Sequence, residues 1–598
     1  MSFVFLFNLF CAITDCTPPV SHTSPGRNEL SILSLASMNS AISLDERSAR
    51  SHSNNLSDLR DDFPIVRTSL GEIEGHFMES RGGRKIAAFE GIPFALPPVG
   101  ERRFRNPVPL TPWKGILSAK KPGNDCLQLD ISRQMRVRGS ESCLYLSIYT
   151  PAPLISNNRT KLLNVIFYIH GGCWESFSGK DFGPQYLLDK DTILVTSNYR
   201  LGILGFLSTG DRAARGNYGM KDQLEALKWT VEHISNFGGD PKKITVIGES
   251  VGAASVGLHI ISPLTSKALH IHGAIMLSGS GLNHWTLIND TFSNSKEIAK
   301  RMHCPTANSE DLVECLRHKD PYMVVGQQFH LWKIPVVIRM VFGPVIESNV
   351  DNPDPFIVEA PEVTYSKPNA IRPIPVICGV NKNEGALFAA SIHIIPFLYD
   401  AINSKRDEMI SYIMDYDTVP GVNLAETSTK ISKFYFNDKP WSNINRDRIS
   451  DALGDRSFTS GVYKFLQRHS QVAPTYGYFF THESTSGSSF MSQTLGLRKN
   501  EWGTSHGDEL PFIFSMDRVS QDFTDPKDMA ISKFLVDVIV NFSNDKQPFP
   551  QNAVGENVTW SPILNPKYME LLEINDKTRM IPFPYMERMK FWEHLKLN

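Results

Sequence analysis

The sequence predicts an α/β fold, one large and mostly parallel β-sheet flanked by helices, and three observations carry that prediction. Apolar, β-branched runs at residues 164–169, 192–196 and 244–247 alternate with helical patterns such as residues 222–231. The last of these runs ends in Gly248-Glu249-Ser250-Val251-Gly252, which reads as a sharp strand-to-helix turn. Three further polar or glycine-rich segments follow strand-like runs, at the carboxyl edge where such sheets bind ligands.

Taken from the amino end, the first element is an apolar run over residues 2–13, short for a membrane span and suited to the core of a secretory signal. No basic residue precedes it and Asn8 interrupts it, so residues 1–16 match that signal incompletely. Residues 17–63 are rich in Ser, Asn, Asp and Arg without sustained periodicity and read as a disordered tail or pro-segment. One large catalytic domain is expected over residues 64–598, because no repeat or central linker divides the chain. A net charge of -2 without a basic stripe argues against nucleic-acid binding. With no later membrane span either, the expectation is a soluble protein, secreted or in the secretory-pathway lumen. Sequons at Asn55, Asn158, Asn289, Asn541 and Asn557 fit a glycoprotein. The spacings of Cys126 with Cys143 and of Cys304 with Cys315 suit two local disulfides, each contributing about 3 kcal/mol, with four separate buried thiols as the alternative.

The chemistry starts at Ser250. Gly248 and Gly252 relieve the collisions of a turn tight enough to expose a serine hydroxyl above the sheet. A serine nucleophile that cleaves esters needs a base, an acid that orients the base, and donors for the oxyanion. The segment His170-Gly171-Gly172-Cys173-Trp174 follows a strand, and the N–H groups of Gly171, Gly172 and Val251 are candidates for a three-donor oxyanion hole. Glu384 lies where the strand from residue 375 runs into a polar loop, and His506 lies between glycines ahead of an apolar run. The order Ser250, Glu384, His506 is the order of a hydrolase triad on an α/β sheet.

Several motifs stand together in order: residues 89–100 (Phe-Glu-Gly-Ile-Pro-Phe-Ala-Leu-Pro-Pro-Val-Gly), 141–151 (Glu-Ser-Cys-Leu-Tyr-Leu-Ser-Ile-Tyr-Thr-Pro), 198–202, 216–223 and the Ser250 turn. On these the chain resembles the type-B carboxylesterase and cholinesterase family of the α/β-hydrolase superfamily, from about Pro64 to the C-terminus. The resemblance implies Ser250, Glu384 and His506 as the triad, disulfides Cys126–Cys143 and Cys304–Cys315, and structural ion pairs Arg103–Glu141 and Arg200–Asp222. It also implies a field-tuning role for Glu249 and a small-molecule carboxylic ester as substrate, with no metal or organic cofactor.

The departures from that family narrow the reading. Val251 stands where Ala is usual and is expected to crowd the acyl side, Ser142 replaces Asp or Gly, and Cys173 is expected to be a free thiol near the site. The stretch between Cys126 and Cys143 has Arg133, Arg136 and Arg138 but no Trp, which disfavours quaternary ammonium substrates, and no cysteine follows Cys378. A general carboxylesterase is therefore expected. The rival readings are a non-catalytic adhesion protein on the same fold and a lipase or cholinesterase variant. Trp285 and Phe342 are candidates for the pocket wall, with ordinary core aromatics as the alternative.

Overall fold

The computed structural model describes residues 63–597 apart from 131–135, 153–160, 335–338, 396, 485–488, 491–500, 517–522 and 549–557. The segments read as a signal and a tail, residues 1–16 and 17–63, thus lie outside the described residues except for Phe63. Eleven strands form the principal sheet: β1 (His76–Glu79), β2 (Lys85–Pro93), β3 (Tyr145–Pro151), β4 (Leu163–Ile169), β5 (Ile193–Ser197), β6 (Gly239–Glu249), β7 (Gly273–Leu277), β8 (Val376–Asn381), β9 (Thr475–Phe480), β10 (Glu570–Ile574) and β11 (Arg579–Pro582). Their spatial order is β11-β10-β9-β8-β7-β6-β4-β5-β3-β2-β1. The seven strands from β10 to β5 pair in parallel, and antiparallel strands close both edges.

The parallel strands are apolar along their length because helices cover both faces. Val165–Ile169, Ile193–Val195 and Val246–Ile247 are fully buried, as expected of strands without a solvent face. Helix Val251–Ile261 follows β6 and has every residue buried, which suits its Ala, Val, Gly, Leu and Ile content. Helix Tyr218–His233 extends beyond the predicted 222–231, and the segment between Cys304 and Cys315 contains the start of helix Ser309–Arg317. Asn308 opens that helix by accepting hydrogen bonds from the N–H groups of Glu310 and Asp311.

The strand order turns back at β4, which lies between β5 and β6. This switch point places the carboxyl ends of β4 and β6 side by side, with His170-Gly171-Gly172 leaving one and Ser250 leaving the other. Both disulfides form, Cys126–Cys143 and Cys304–Cys315, while Cys173 and Cys378 are free. Arg103 clasps Glu141 through Nε and Nη2 at 2.6 and 2.7 Å, and Arg200 clasps Asp222 with two bonds of 2.7 Å. Arg103, Arg200 and Asp222 are buried, and the second pair ties the segment after β5 to helix Tyr218–His233, so these charges are spent on structure.

Candidate active site

Ser250 sits in the turn with φ 57° and ψ −123°, a conformation that non-glycine residues rarely adopt and that a packed surround must enforce. The enforcement is steric. A Cβ on Gly248 would overlap the carbonyl of Gly252, and a Cβ on Gly252 would overlap the carbonyl of Ile169 at the end of β4. Strand, turn and helix therefore approach within distances that only glycines allow.

The oxyanion candidates arise from the same crowding. A Cβ on Gly171 would overlap the Glu249 carboxylate and stand 3.2 Å from Ser250 Cβ, and Gly172 takes φ 95°. The peptide N–H groups of this loop are thus brought beside the serine. No protein group accepts from the N–H of Gly171, Gly172 or Val251 among the described residues, and Val251 opens a helix, where N–H groups have no intrahelical partner. The Val251 side chain is fully buried and does not line the cavity, which removes the expected crowding of the acyl side.

Glu384 and His506 arrive from opposite ends of a hydrogen-bonded seam. Asn383 N–H donates to the Thr504 carbonyl at 2.8 Å, and Thr504 N–H returns a bond to Asn383 Oδ1 at 3.2 Å. His506 Nδ1 then lies 2.7 Å from Glu384 Oε2, while Glu384 Oε1 accepts from Asn381 N–H at 2.6 Å. Both carboxylate oxygens are engaged, which fixes the acid and through it the imidazole. Phe458 stacks on the His506 ring at 4.0 Å between centroids and holds its plane.

On its other side His506 Nε2 lies 3.0 Å from Glu249 Oε1, a close charge contact rather than an aligned hydrogen bond. Burial by itself disfavours the imidazolium, but the carboxylates of Glu249 and Glu384 outweigh it and raise the His506 pKa to about 10. His170, His259 and His469 are equally buried without a carboxylate partner, and burial lowers them to about 4, about 3 and about 4. His506 is thus set apart by its neighbours. Glu509, not singled out in the sequence, is buried behind the pair and accepts from Ser278 Oγ and Tyr478 Oη. Burial, reinforced by the charges of Glu384 and Glu249, raises its pKa to about 8.

These groups open on one cavity of about 140 Å³ lined by Gly172, Cys173, Glu249, Ser250, His506 and the aromatic rings of Trp285, Phe388, Phe458, Phe177 and Phe490. Trp285 is among the lining side chains. Phe342 is not: it is fully buried in the core and absent from the cavity wall. Cys173 faces the cavity, and burial followed by the charges of Glu175 and Glu249 pushes its thiol pKa up, so it is a weak nucleophile. Arg138 also reaches the wall, but it is bound to Asp125, Asp130 and Gln128, while Arg133 lies outside the described residues. Phe458, Phe388 and Glu509 had no sequence signal of their own, since tertiary packing is what brings each side chain to the site.

Comparison with known proteins gives the family and the fold. A model of the carboxylesterase family matches residues 62–592. Esterase E4 of Myzus persicae is 36% identical over 497 residues, covering 82% of this chain and 88% of its own. A carboxylic ester hydrolase of Bombus ignitus is 33% identical over 549 residues, covering 90% and 94%. The crystal structure of juvenile hormone esterase from Manduca sexta, with OTFP covalently attached, has a TM-score of 0.78 at 24% identity, covering 89% of this chain and 99% of that one. That likeness concerns the fold.

Proposed function

Because the chain belongs to the carboxylesterase family and is a serine hydrolase of carboxylic esters, we propose that Ser250, His506 and Glu384 carry its reaction as nucleophile, base and orienting acid. The observation that carries this assignment is the Glu384–His506 bond of 2.7 Å beside a serine held in a strained turn. His506 Nε2 turns from Glu249 to the Ser250 hydroxyl and takes its proton as Oγ attacks the ester carbonyl. Hydrogen bonds of this kind commonly tighten only on substrate binding. The N–H groups of Gly171, Gly172 and Val251 receive the oxyanion, each donor contributing about 3 kcal/mol in the transition state. His506 protonates the departing alcohol, then draws a proton from water as it cleaves the acyl-enzyme, while Glu384 stabilises the imidazolium throughout. Incubation with an aryl ester and with an organophosphate tests the assignment. Wild type should turn over the first and be labelled by the second at Ser250, and a Ser250→Ala variant that is still labelled would overturn it.

A non-catalytic adhesion role is disfavoured because no triad member is missing and the cavity reaches Ser250. The lining supports an uncharged ester as substrate: its walls are largely aromatic and aliphatic, and the arginines that reach them are paired, Arg138 with Asp125 and Asp130 and Arg339 with Asp415 and Asp417. Secretion is part of the same proposal. It is supported by the apolar run at residues 2–13 and by two disulfides, and among the described residues no single helix is long and apolar enough to cross a membrane. Asn289 is exposed and suited to a glycan, Asn541 is half-buried on helix Pro526–Asp545, and Asn55, Asn158 and Asn557 lie outside the described residues. A mobility shift of the secreted protein on enzymatic deglycosylation, lost in Asn289→Gln, tests that part.

A further inference from the structure

A second cavity of about 470 Å³ adjoins the catalytic one on its outer side, and His284, Arg339, Met340, Tyr412 and Asp415 line both. Side chains that line two cavities stand between them, so the partition is one side chain thick. Its centre is ionic. Arg339 Nη2 lies 2.8 Å from Asp415 Oδ1, Arg339 Nη1 bonds Asp417 Oδ1 at 2.7 Å, and the guanidinium lies 5.1 Å from the centroid of the Tyr412 ring. His284 Nε2 closes the group at 3.5 Å from Asp415 Oδ2, and Arg456 Nη2 anchors the Asp415 carbonyl at 3.1 Å. An apolar cavity that contains the nucleophile thus ends on a fixed ion pair.

We propose that the Arg339–Asp415 pair is the end wall of the catalytic cavity and sets the length of ester chain that the enzyme accepts, a specificity that rests on Ser250 being the nucleophile. The inner space is small: a cavity of about 150 Å³ holds a benzene molecule, so about 140 Å³ holds a chain of similar bulk. The outer space falls within the roughly 300–1,000 Å³ of pockets that hold larger ligands. A short chain packs against Trp285, Phe388 and Phe458 and stops before the wall. A longer one must part Arg339 from Asp415 and set both charges against hydrocarbon with one contact fewer, which outweighs the burial of its added methylenes.

The test compares wild type with the double variant Arg339→Met/Asp415→Asn, which removes both charges together and leaves Asp417 with Lys333 at 3.6 Å. Met340→Ala is the second variant, trimming the wall without touching an ion pair. kcat/KM is measured on p-nitrophenyl butyrate and p-nitrophenyl laurate, and Ser250 is titrated with an organophosphate. The laurate-to-butyrate ratio should rise about tenfold in the double variant and move the same way, by less, in Met340→Ala. If the double variant does not fold, Met340→Ala decides. An unchanged ratio with full labelling of Ser250 overturns the wall and leaves the nucleophile assignment intact. Absence of labelling in wild type overturns both.

Discussion

Ser250 and the proposed oxyanion donors follow the carboxyl ends of two adjacent strands and are positioned by contacts too close for any side chain, whereas Glu384 and His506, 122 residues apart, are positioned by hydrogen bonds and charge. The first region is a matter of backbone sterics: Gly171, Gly248 and Gly252 let β4, β6 and the following helix converge, and the serine has one conformation available. The second is a matter of pairing: Asn383, Thr504 and Asn381 hold two loops together, and Phe458 fixes the ring plane. Rigid convergence suits the groups that must meet a developing negative charge without reorganising. Paired loops suit the imidazole, which must change partner and protonation state during turnover.

The comparison predicts a ladder of effects. Ser250→Ala should lower kcat about a millionfold and abolish organophosphate labelling, read by burst titration and mass spectrometry. Glu384→Gln should lower kcat about ten-thousandfold while leaving the serine region in place, because the base loses its orientation and the partner for its charge. Gly171→Ala should lower kcat about a hundredfold to a thousandfold, since the new methyl collides with Glu249 and displaces an oxyanion donor. A loss as large as that of Glu384→Gln would show that the elbow itself had collapsed.

Smaller effects sharpen the boundary between the regions. Only neutral His506 accepts the serine proton, and its pKa is raised toward about 10, so kcat/KM should climb with pH through the neutral range and fall as pH drops. Glu249→Gln removes one of the two carboxylates that raise it and should shift that acid limb to lower pH by about one unit or more, read from pH–rate profiles. An unmoved limb would mean that Glu249 touches the imidazole without influencing it. Smallest of all, Val251→Ala should leave the ratio of bulky to small acyl ester hydrolysis unchanged, because that side chain is buried away from the cavity.

Much of the serine region was legible in the sequence because its determinants are local. Gly248-Glu249-Ser250-Val251-Gly252 and His170-Gly171-Gly172 each place their glycines where a single turn requires them, and the strands before them are β-branched runs. The ion pairs were legible through a resemblance alone, and the disulfides through the spacing of their cysteines as well. Phe342 was misplaced because an aromatic residue in a loop reads alike whether it faces a cavity or the core. Val251 was misread for a similar reason: a bulky residue next to the nucleophile was taken to face the substrate, and the helix that starts there turns it inward.

By itself the sequence determined the sheet and the elbow and singled out Ser250, Glu384 and His506 for the proposed triad, because strand alternation, glycine at tight turns and the order of those three residues are written along the chain. Only the tertiary structure decided the protonation balance and the shape of the site. The contact of Glu249 with His506, the Phe458 ring over the imidazole and the Arg339–Asp415 pair at the cavity's end join segments far apart in the chain. Charge and packing act through space, so a residue's effect on a pKa or a cavity wall depends on distances that its position in the sequence does not contain.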